Sequence, residues 1–257
     1  MQSTISPQYQ QLLIQHQLAS FEQLWDYQGD WFEPPNHERG GWSGVNYIEL
    51  TDDAGKIHGF YLKRQQGHLR RSWRQPIAGE PTFVREFEIL QHLKTYKVAT
   101  PEFVFFGRNN NKAILLTKAL SGFADADNWL KKFIHFNVKK KRAFISTIAA
   151  AVRHLHQARV QHRSLYPKHL FIKEHNGSFE VATIDFEKSR ITSLVTFSRL
   201  SDLITLNNRA TNLSRSQRLF FFKQYFEIKQ LTPIYKKLCI YLHSQSNNSP
   251  AKQIKST

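Results

Sequence analysis

The residues best suited to chemistry are concentrated in one stretch, Val160 to Arg190, which reads VQHRSLYPKHLFIK, a short turn EHNGS, and then FEVATIDFEKSR. The pattern predicts a loop bearing His162, Arg163, Ser164 and His169, followed by a hairpin whose second strand, VATID, delivers Asp185 at its end. An Asp just past an apolar, β-branched strand stands where ligands bind rather than where cores pack, and it is a place for a metal ion. His169 is a good metal ligand when neutral; the alternative is a structural histidine beside an aromatic ring.

A second pair lies upstream. Lys63 sits late in IHGFYLKR, among residues that favour a strand, and reads either as a cation reaching phosphates or as a lysine that blunts an edge strand. The segment PTFVREFEILQHLKTY reads as a helix with Pro81 and Thr82 at its start. At helical spacing Phe83, Phe87, Leu90 and Leu93 share one face, with Glu86 inside that stripe and Glu88 nearly opposite, in solvent. A carboxylate on a core-facing stripe has to be paired or carry a desolvation cost of several kcal/mol. Lys63 is the expected partner, in a structural salt bridge or in a pair that serves phosphate chemistry.

The elements that must position these residues follow from the same patterns. Residues 1 to 35 are Gln-rich and aromatic, and predict a short helix and a Pro-terminated arm laid on the main body. RGGWSGVNYIEL is a Gly-rich turn entering a strand, and a DDAG turn leads to IHGFYLKR. Gly40, Gly41 and Gly44 thus lie near the start of a β-meander, as a phosphate-accepting nest of backbone N–H groups or as an ordinary tight turn. Two more strands, EFVFFG and AILLT, follow the helix, joined by the polar turn RNNNK. The connector KALSGF, from Lys118 to Phe123, is a hinge to which a nucleotide base would hydrogen-bond.

The rest is mainly helical. DADNWLKKF starts one helix with Asp125 or Asp127 as its cap, and Lys140 to Gln157 carries Phe144, Ile145, Ile148, Ala149, Val152 and Leu155 on one side, as the central helix of a second lobe. Asp202, set between apolar residues further on, reads as a buried carboxylate holding loop backbone, or as a solvated cap. The expected organisation is α+β: residues 1–117 an arm and an antiparallel sheet lobe with one helix, 118–243 a mainly helical lobe, and 244–257 a disordered tail.

The composition is globular, 40% hydrophobic and 13% aromatic. One cysteine, Cys239, excludes an internal disulfide framework and fits a reducing compartment. The N-terminus has neither the basic region nor the apolar run of a signal peptide, and the apolar run from Phe144 to Val152 is too short to span a bilayer. A cytoplasmic protein, at most peripheral at a membrane, is expected. The net charge of +16 attracts nucleic acid, anionic headgroups or phosphorylated glycans. Without a C-x-x-C spacing, an RNP-like strand or a helix-turn-helix pattern, nucleic acid has charge alone in its favour, and no specific nucleic-acid partner is expected.

The order His162-Arg163-Ser164-Leu165, His169, Asp185-Phe186-Glu187 resembles the protein-kinase signature H-R-D-L-x-x-x-N followed by D-F-G. With RGGWSGV, YLKR, GEPTFVREFEIL, TPEFVFFG, LLTKALSGFADADNWL, HRSLYPKHLFIK and IDFEKSR all in order, the chain resembles the InaA and lipopolysaccharide kinase (Kdo/WaaP-like) family of Gram-negative bacteria. The resemblance implies a two-lobed protein-kinase-like fold. It implies ATP and magnesium as cofactors, with Lys63 on the nucleotide phosphates and Glu86 orienting it. Asp185 would hold magnesium, His169 would take the second metal-ligand or phosphate-contact place, and Asp202 would brace the His162 loop. An anionic glycolipid, a lipopolysaccharide precursor or the inner-membrane surface is the implied partner, and a monomer is assumed.

Ser164 departs from the pattern where a catalytic Asp orients the attacking hydroxyl and accepts its proton. Loss of that help slows transfer by roughly 10²- to 10⁴-fold, with His162 or Glu187 as partial substitutes. Two readings stay open: a phosphotransferase acting on a sugar hydroxyl, and a pseudokinase that binds nucleotide or protein partners in an envelope or stress response. A small-molecule kinase of the aminoglycoside type is disfavoured, because sites for cationic substrates are acidic and this chain is basic.

Overall fold

The computed structural model describes residues 1–37, 40–70, 79–193, 195–210 and 212–247. Most of the basic connector expected after the Lys63 strand, and the tail from 248 onward, lie outside the described residues. The chain divides into two compact units, Met1–Ser121 with Asp185–Lys188, and Gly122–Ile184 with Ser189–Thr257.

The first unit contains β1 (Gln2–Ile5), α1 (Gln10–Gln15), α2 (Phe21–Trp25), β2 (Trp31–Asn36), β3 (Trp42–Thr51) and β4 (Ile57–Gln66). Two-residue strands β5 (Leu69–Arg70) and β6 (Glu80–Pro81), the helix α3 (Thr82–Thr95), β7 (Phe103–Asn109) and β8 (Lys112–Lys118) complete it. Six of the strands form one antiparallel sheet in the order β1-β7-β8-β4-β3-β2.

Period-two alternation gives the sheet two different faces. Ile48, Leu50, Phe60, Leu62, Val104, Ile114 and Leu116 form a core with Tyr9, Leu12, Leu13, Phe21 and Leu24 of the N-terminal segment. On the other face α3 packs, with Phe87 stacked on Phe106 at 4.3 Å between ring centroids.

The N-terminal arm is thus more than a helix and a trailing segment. Its ends pair as outer strands, Gln2 to Ile5 along Arg108 to Phe105, and Trp31 to Asn36 along β3 with two irregularities in register. Pro34 and Pro35 are tolerated there because an edge strand need not donate on its open side. A buried clamp holds the arm: Arg64 donates to the Trp25 and Tyr27 carbonyls and, at 2.7 Å, to Asn46 Oδ1. Asn46 Nδ2 in turn donates to the Gly29 and Asp30 carbonyls at 2.9 Å.

The second unit contains β9 (Ala124–Asp125), α4 (Ala126–Phe133), α5 (Val138–Gln157), β10 (Val160–Gln161), β11 (Leu170–His175) and β12 (Ser178–Thr183). After these come β13 (Arg190–Ile191), α6 (Val195–Arg209), α7 (Arg215–Phe226) and α8 (Pro233–Asn247). Asp125 caps α4 by accepting from Asn128 N at 2.9 Å, and Asn137 caps α5 by accepting from Lys140 N at the same distance. The expected hairpin is present as β11 and β12, and β9 adds a third strand beside β11. The last helix continues to Asn247, past the point where a disordered tail was expected to begin.

Candidate functional site

Two groups of candidate residues assemble, one in each unit. In the first, Lys63 lies opposite Leu115 in the β4–β8 register and projects onto the α3 face of the sheet. Glu86, on the buried stripe of α3, accepts from Lys63 Nζ at 2.6 Å. The Glu86 side chain is only 4% exposed. Glu88, expected in solvent, is half-buried.

Burial alone would pull the Lys63 ammonium down, but the carboxylates of Glu86, Asp185 and Glu187 outweigh it and hold its pKa above the ordinary lysine value. Burial pushes Glu86 up, and Asp185 and Glu187 add to this against the opposing pull of Lys63. Three carboxylates thus act on one ammonium. Glu86 Oε2 is buried with no hydrogen-bond partner among the described residues.

Asp185 follows the end of β12 with φ 66°, in the left-handed region that a non-glycine residue seldom adopts. The neighbouring Phe186 is fully buried. That combination pins the Asp185–Lys188 segment by its aromatic ring and leaves a strained, half-exposed carboxylate beside it.

The glycines divide. Gly41 has its backbone against that of Gln66 and Gly67, where an added Cβ would come within 2.2 Å of the Gln66 carbonyl oxygen. Gly40, at φ 74°, has open space around it. Gly44 faces the arm, and a Cβ there would meet the Trp31 ring at 2.7 Å. Lys118 also projects to the arm face, 3.9 Å from Glu102 and 5.7 Å from the Tyr9 ring centre, so its side chain is not gathered with Lys63.

Sequence reasoning missed an aromatic shelf on the Lys63 face. Tyr61, two residues before Lys63, has Tyr47 at 5.3 Å and Phe32 at 5.1 Å between ring centroids. Gly59 makes room for Tyr47, since a Cβ would lie 2.3 Å from its hydroxyl. The signal available in the sequence was the odd-numbered alternation Gly59, Tyr61, Lys63 along one strand face.

In the second unit the loop from Val160 is held by a buried polar network. Asp202, fully buried, accepts from His162 N at 2.6 Å, Arg163 N at 2.8 Å and His156 Nε2 at 3.2 Å. A carboxylate only accepts, so His156 Nε2 carries its hydrogen, and Nδ1 on the other side of the ring is hydrogen-bonded to the Tyr225 hydroxyl at 2.7 Å. Arg163 adopts φ 65°, a second left-handed residue in this machinery.

His162 Nε2 donates to the Ile184 carbonyl at 2.9 Å, and His169 Nδ1 to the Ser164 carbonyl at 2.7 Å. A carbonyl only accepts, so His162 Nε2 and His169 Nδ1 carry hydrogens, and the two rings stack at 5.6 Å between centroids. Ser164 is buried at 5% exposure, and its carbonyl also accepts from Tyr166 N at 2.8 Å. Among the described residues no cluster of three or more His, Cys, Asp or Glu side chains is arranged to hold a metal by protein ligands alone.

Comparison with known proteins places this geometry. Protein InaA of Escherichia coli (strain K12) is 32% identical over 176 residues, covering 66% of this chain and 78% of that protein. A solved structure of WaaP in complex with acyl carrier protein matches with a TM-score of 0.70, covering 96% of this chain and 98% of that one. Sequence identity to it is 19%, so the likeness speaks for the fold, which is protein-kinase-like. The sequence model of the lipopolysaccharide kinase (Kdo/WaaP) family matches residues 22–225. That span takes in Lys63, Glu86, the His162 loop, Asp185 and Asp202, and the chain belongs to the lipopolysaccharide kinase (Kdo/WaaP) family.

Proposed function

We propose that the protein is an ATP- and magnesium-dependent phosphotransferase acting on a sugar hydroxyl of a lipopolysaccharide core or related glycolipid. Family membership supports a kinase-like function. The observation that carries the finer reading is the Lys63–Glu86 ion pair, 2.6 Å long and joined by the carboxylates of Asp185 and Glu187. A lysine held by a buried glutamate is a fixed cation for nucleotide phosphates, and it keeps its charge because three carboxylates favour the ammonium.

The residues fit magnesium. The cluster gathers the carboxylates of Glu86, Asp185 and Glu187 around one ammonium, and magnesium is ordinarily bound by one or two carboxylates plus substrate phosphates and water rather than by an all-protein cage. Asp185 is the carboxylate that would hold it, and the family resemblance puts His169 in the second metal-ligand place. Bound there, the ion supplies charge neutralisation at the transferred phosphoryl group. The Tyr61, Tyr47 and Phe32 rings offer faces on which a purine base stacks, on the same sheet face as Lys63. The backbone of Gly40 and Gly41 covers the phosphates, and the backbone of the Lys118 connector hydrogen-bonds the base. Asp202 works through the loop backbone, as a positioning residue.

Ser164 contributes no carboxylate, so the attacking hydroxyl is oriented without the usual base. Transfer then rests on positioning and charge neutralisation. Ser164 also favours a second reading, a nucleotide-binding protein without turnover.

Thermal unfolding with ATP, with and without magnesium, in the wild type and Asp185→Ala, tests the nucleotide site. At about 100 times Kd the ligand adds roughly 2.7 kcal/mol. A magnesium-dependent rise that disappears in Asp185→Ala is expected. No rise in either protein overturns the reading. Transfer of labelled phosphate to lipopolysaccharide, in the wild type and Ser164→Asp, separates the two readings: a large gain in Ser164→Asp marks a slow enzyme, and no transfer by either marks a binder.

A further inference from the structure

We propose that the turn joining α4 to α5, with the helix ends that flank it from Lys131 to Arg142, is a docking element that seats the protein on an anionic lipid bilayer. The sequence holds no aspartate or glutamate between Asp127 and Glu174, and Lys131, Lys132, Lys139, Lys140, Lys141 and Arg142 cluster around this one turn. Among the described residues, the ion pair these cations make is Lys140 with Glu174, at 2.7 Å.

Charge alone would describe a solvated face; the aliphatic residues argue otherwise. Ile134 is 61% exposed and Val138 73% exposed, at the two ends of the turn. They are not left out by a loose chain. Phe133 and Phe136 of the same turn are turned inward onto Phe144, at 5.5 and 6.1 Å between centroids. Asn137 caps α5, and Lys141 Nζ donates to the Ile134 carbonyl at 3.0 Å. The fold thus anchors the aromatic residues and leaves two aliphatic ones exposed in a stretch, Lys131 to Arg142, that holds six lysine and arginine residues and no carboxylate.

Lipid headgroups and nucleic acid would both meet the cations. Nucleic acid leaves Ile134 and Val138 idle, and the aromatic rings on which bases stack, Trp129, Phe133 and Phe136, pack with Phe144 instead. A bilayer uses both features, with headgroup phosphates on the cations and the acyl boundary around the aliphatic side chains. The inference goes beyond the phosphotransferase reading and stands without it.

Flotation of the full chain with vesicles tests it, comparing phosphatidylglycerol with phosphatidylethanolamine against pure phosphatidylcholine in about 0.15 M salt. Binding to the anionic vesicles alone is expected. Each cation near such a surface is worth about five-fold in partitioning. The variant Lys131→Gln/Lys132→Gln/Lys139→Gln/Arg142→Gln should therefore lose at least about 100-fold. Ile134→Ser/Val138→Ser should lose about ten-fold while keeping the salt dependence.

Unchanged thermal midpoints in both variants establish that the fold is intact. Absence of binding to anionic vesicles, or wild-type binding by either variant, overturns the proposal. So does displacement of the wild type from vesicles by a short RNA duplex that binds Ile134→Ser/Val138→Ser equally well, which would make the turn a nucleic-acid surface. ATP binding measured on the same preparations keeps failure here distinct from failure of the phosphotransferase reading.

Discussion

Replacing Asp202 by alanine should unfasten the His162 loop. The carboxylate is fully buried and accepts three hydrogen bonds, two from backbone N–H groups of His162 and Arg163 and one from His156 Nε2. Asp202→Ala leaves those donors buried with no acceptor, at about 1–3 kcal/mol each before relaxation. Because Arg163 holds a left-handed backbone, part of that loss is recovered when the residue relaxes out of φ 65°. A net cost of about 3–5 kcal/mol is expected, which lowers the thermal midpoint by roughly 10 °C for a chain of this size. Urea unfolding gives the free energy, and amide hydrogen exchange locates it. Protection of the His162 and Arg163 amides should fall more than that of α5. A cost below about 1 kcal/mol, or unchanged protection of those two amides, would refute the bracing role.

Further expectations concern the first unit and pH. Lys63→Met leaves Glu86, 4% exposed, without its cation and should cost about 3 kcal/mol in urea unfolding, most of it regained in Lys63→Met/Glu86→Leu. Among the glycines, Gly41→Ala should cost about 2 kcal/mol or more because its Cβ meets backbone at 2.2 Å, whereas Gly40→Ala, with open space, should cost about 1 kcal/mol for its φ of 74°. Thermal midpoints rank the two. At alkaline pH, Lys63 is held above its ordinary pKa by its carboxylates despite burial, and Tyr225 is pushed up chiefly by burial with Asp202 adding to it. Both bind protons more tightly folded than unfolded, so their stabilisation is complete below about pH 10 and is lost as pH rises through the raised values. Urea midpoints should fall above about pH 10, less steeply in Tyr225→Phe; a midpoint flat to higher pH would contradict this.

Much of the fold was legible because it is written in local periodicity. The stripe Phe83, Glu86, Phe87, Leu90, Leu93 announces both α3 and its anomalous carboxylate. The apolar face of Lys140 to Gln157 announces α5. The caps at Asp125 and the turn at Asp52 to Gly55 need only neighbours in the chain, and the turn is closed by Gly55 N donating to the Asp52 carbonyl at 2.9 Å. Other elements carried no such mark. QSTI at Gln2–Ile5 is polar and mostly exposed, and WFEPPN contains two prolines; both are strands because an existing sheet edge supplies their hydrogen bonds. The Arg64–Asn46 clamp joins residues with the carbonyls of the Trp25–Asp30 segment, and no short-range pattern encodes it.

The sequence by itself determined which residues are chemically able: the lysine in a strand, the carboxylate on an apolar helical stripe, the Asp after VATI, and the serine in place of a loop Asp. Only the tertiary structure decided which of them meet. A strand has two faces that its alternation makes equivalent, and what packs on each face breaks the tie. With the arm on one side and α3 on the other, Lys63 turns to Glu86 while Lys118 turns to Glu102 and Tyr9. Gly44, read as part of a phosphate nest or of an ordinary tight turn, has the Trp31 ring where a side chain would stand on the arm side, and Gly59, which the pattern passed over, is room for Tyr47 beside Tyr61. Such assignments depend on the packing of segments distant in sequence, which local periodicity does not encode.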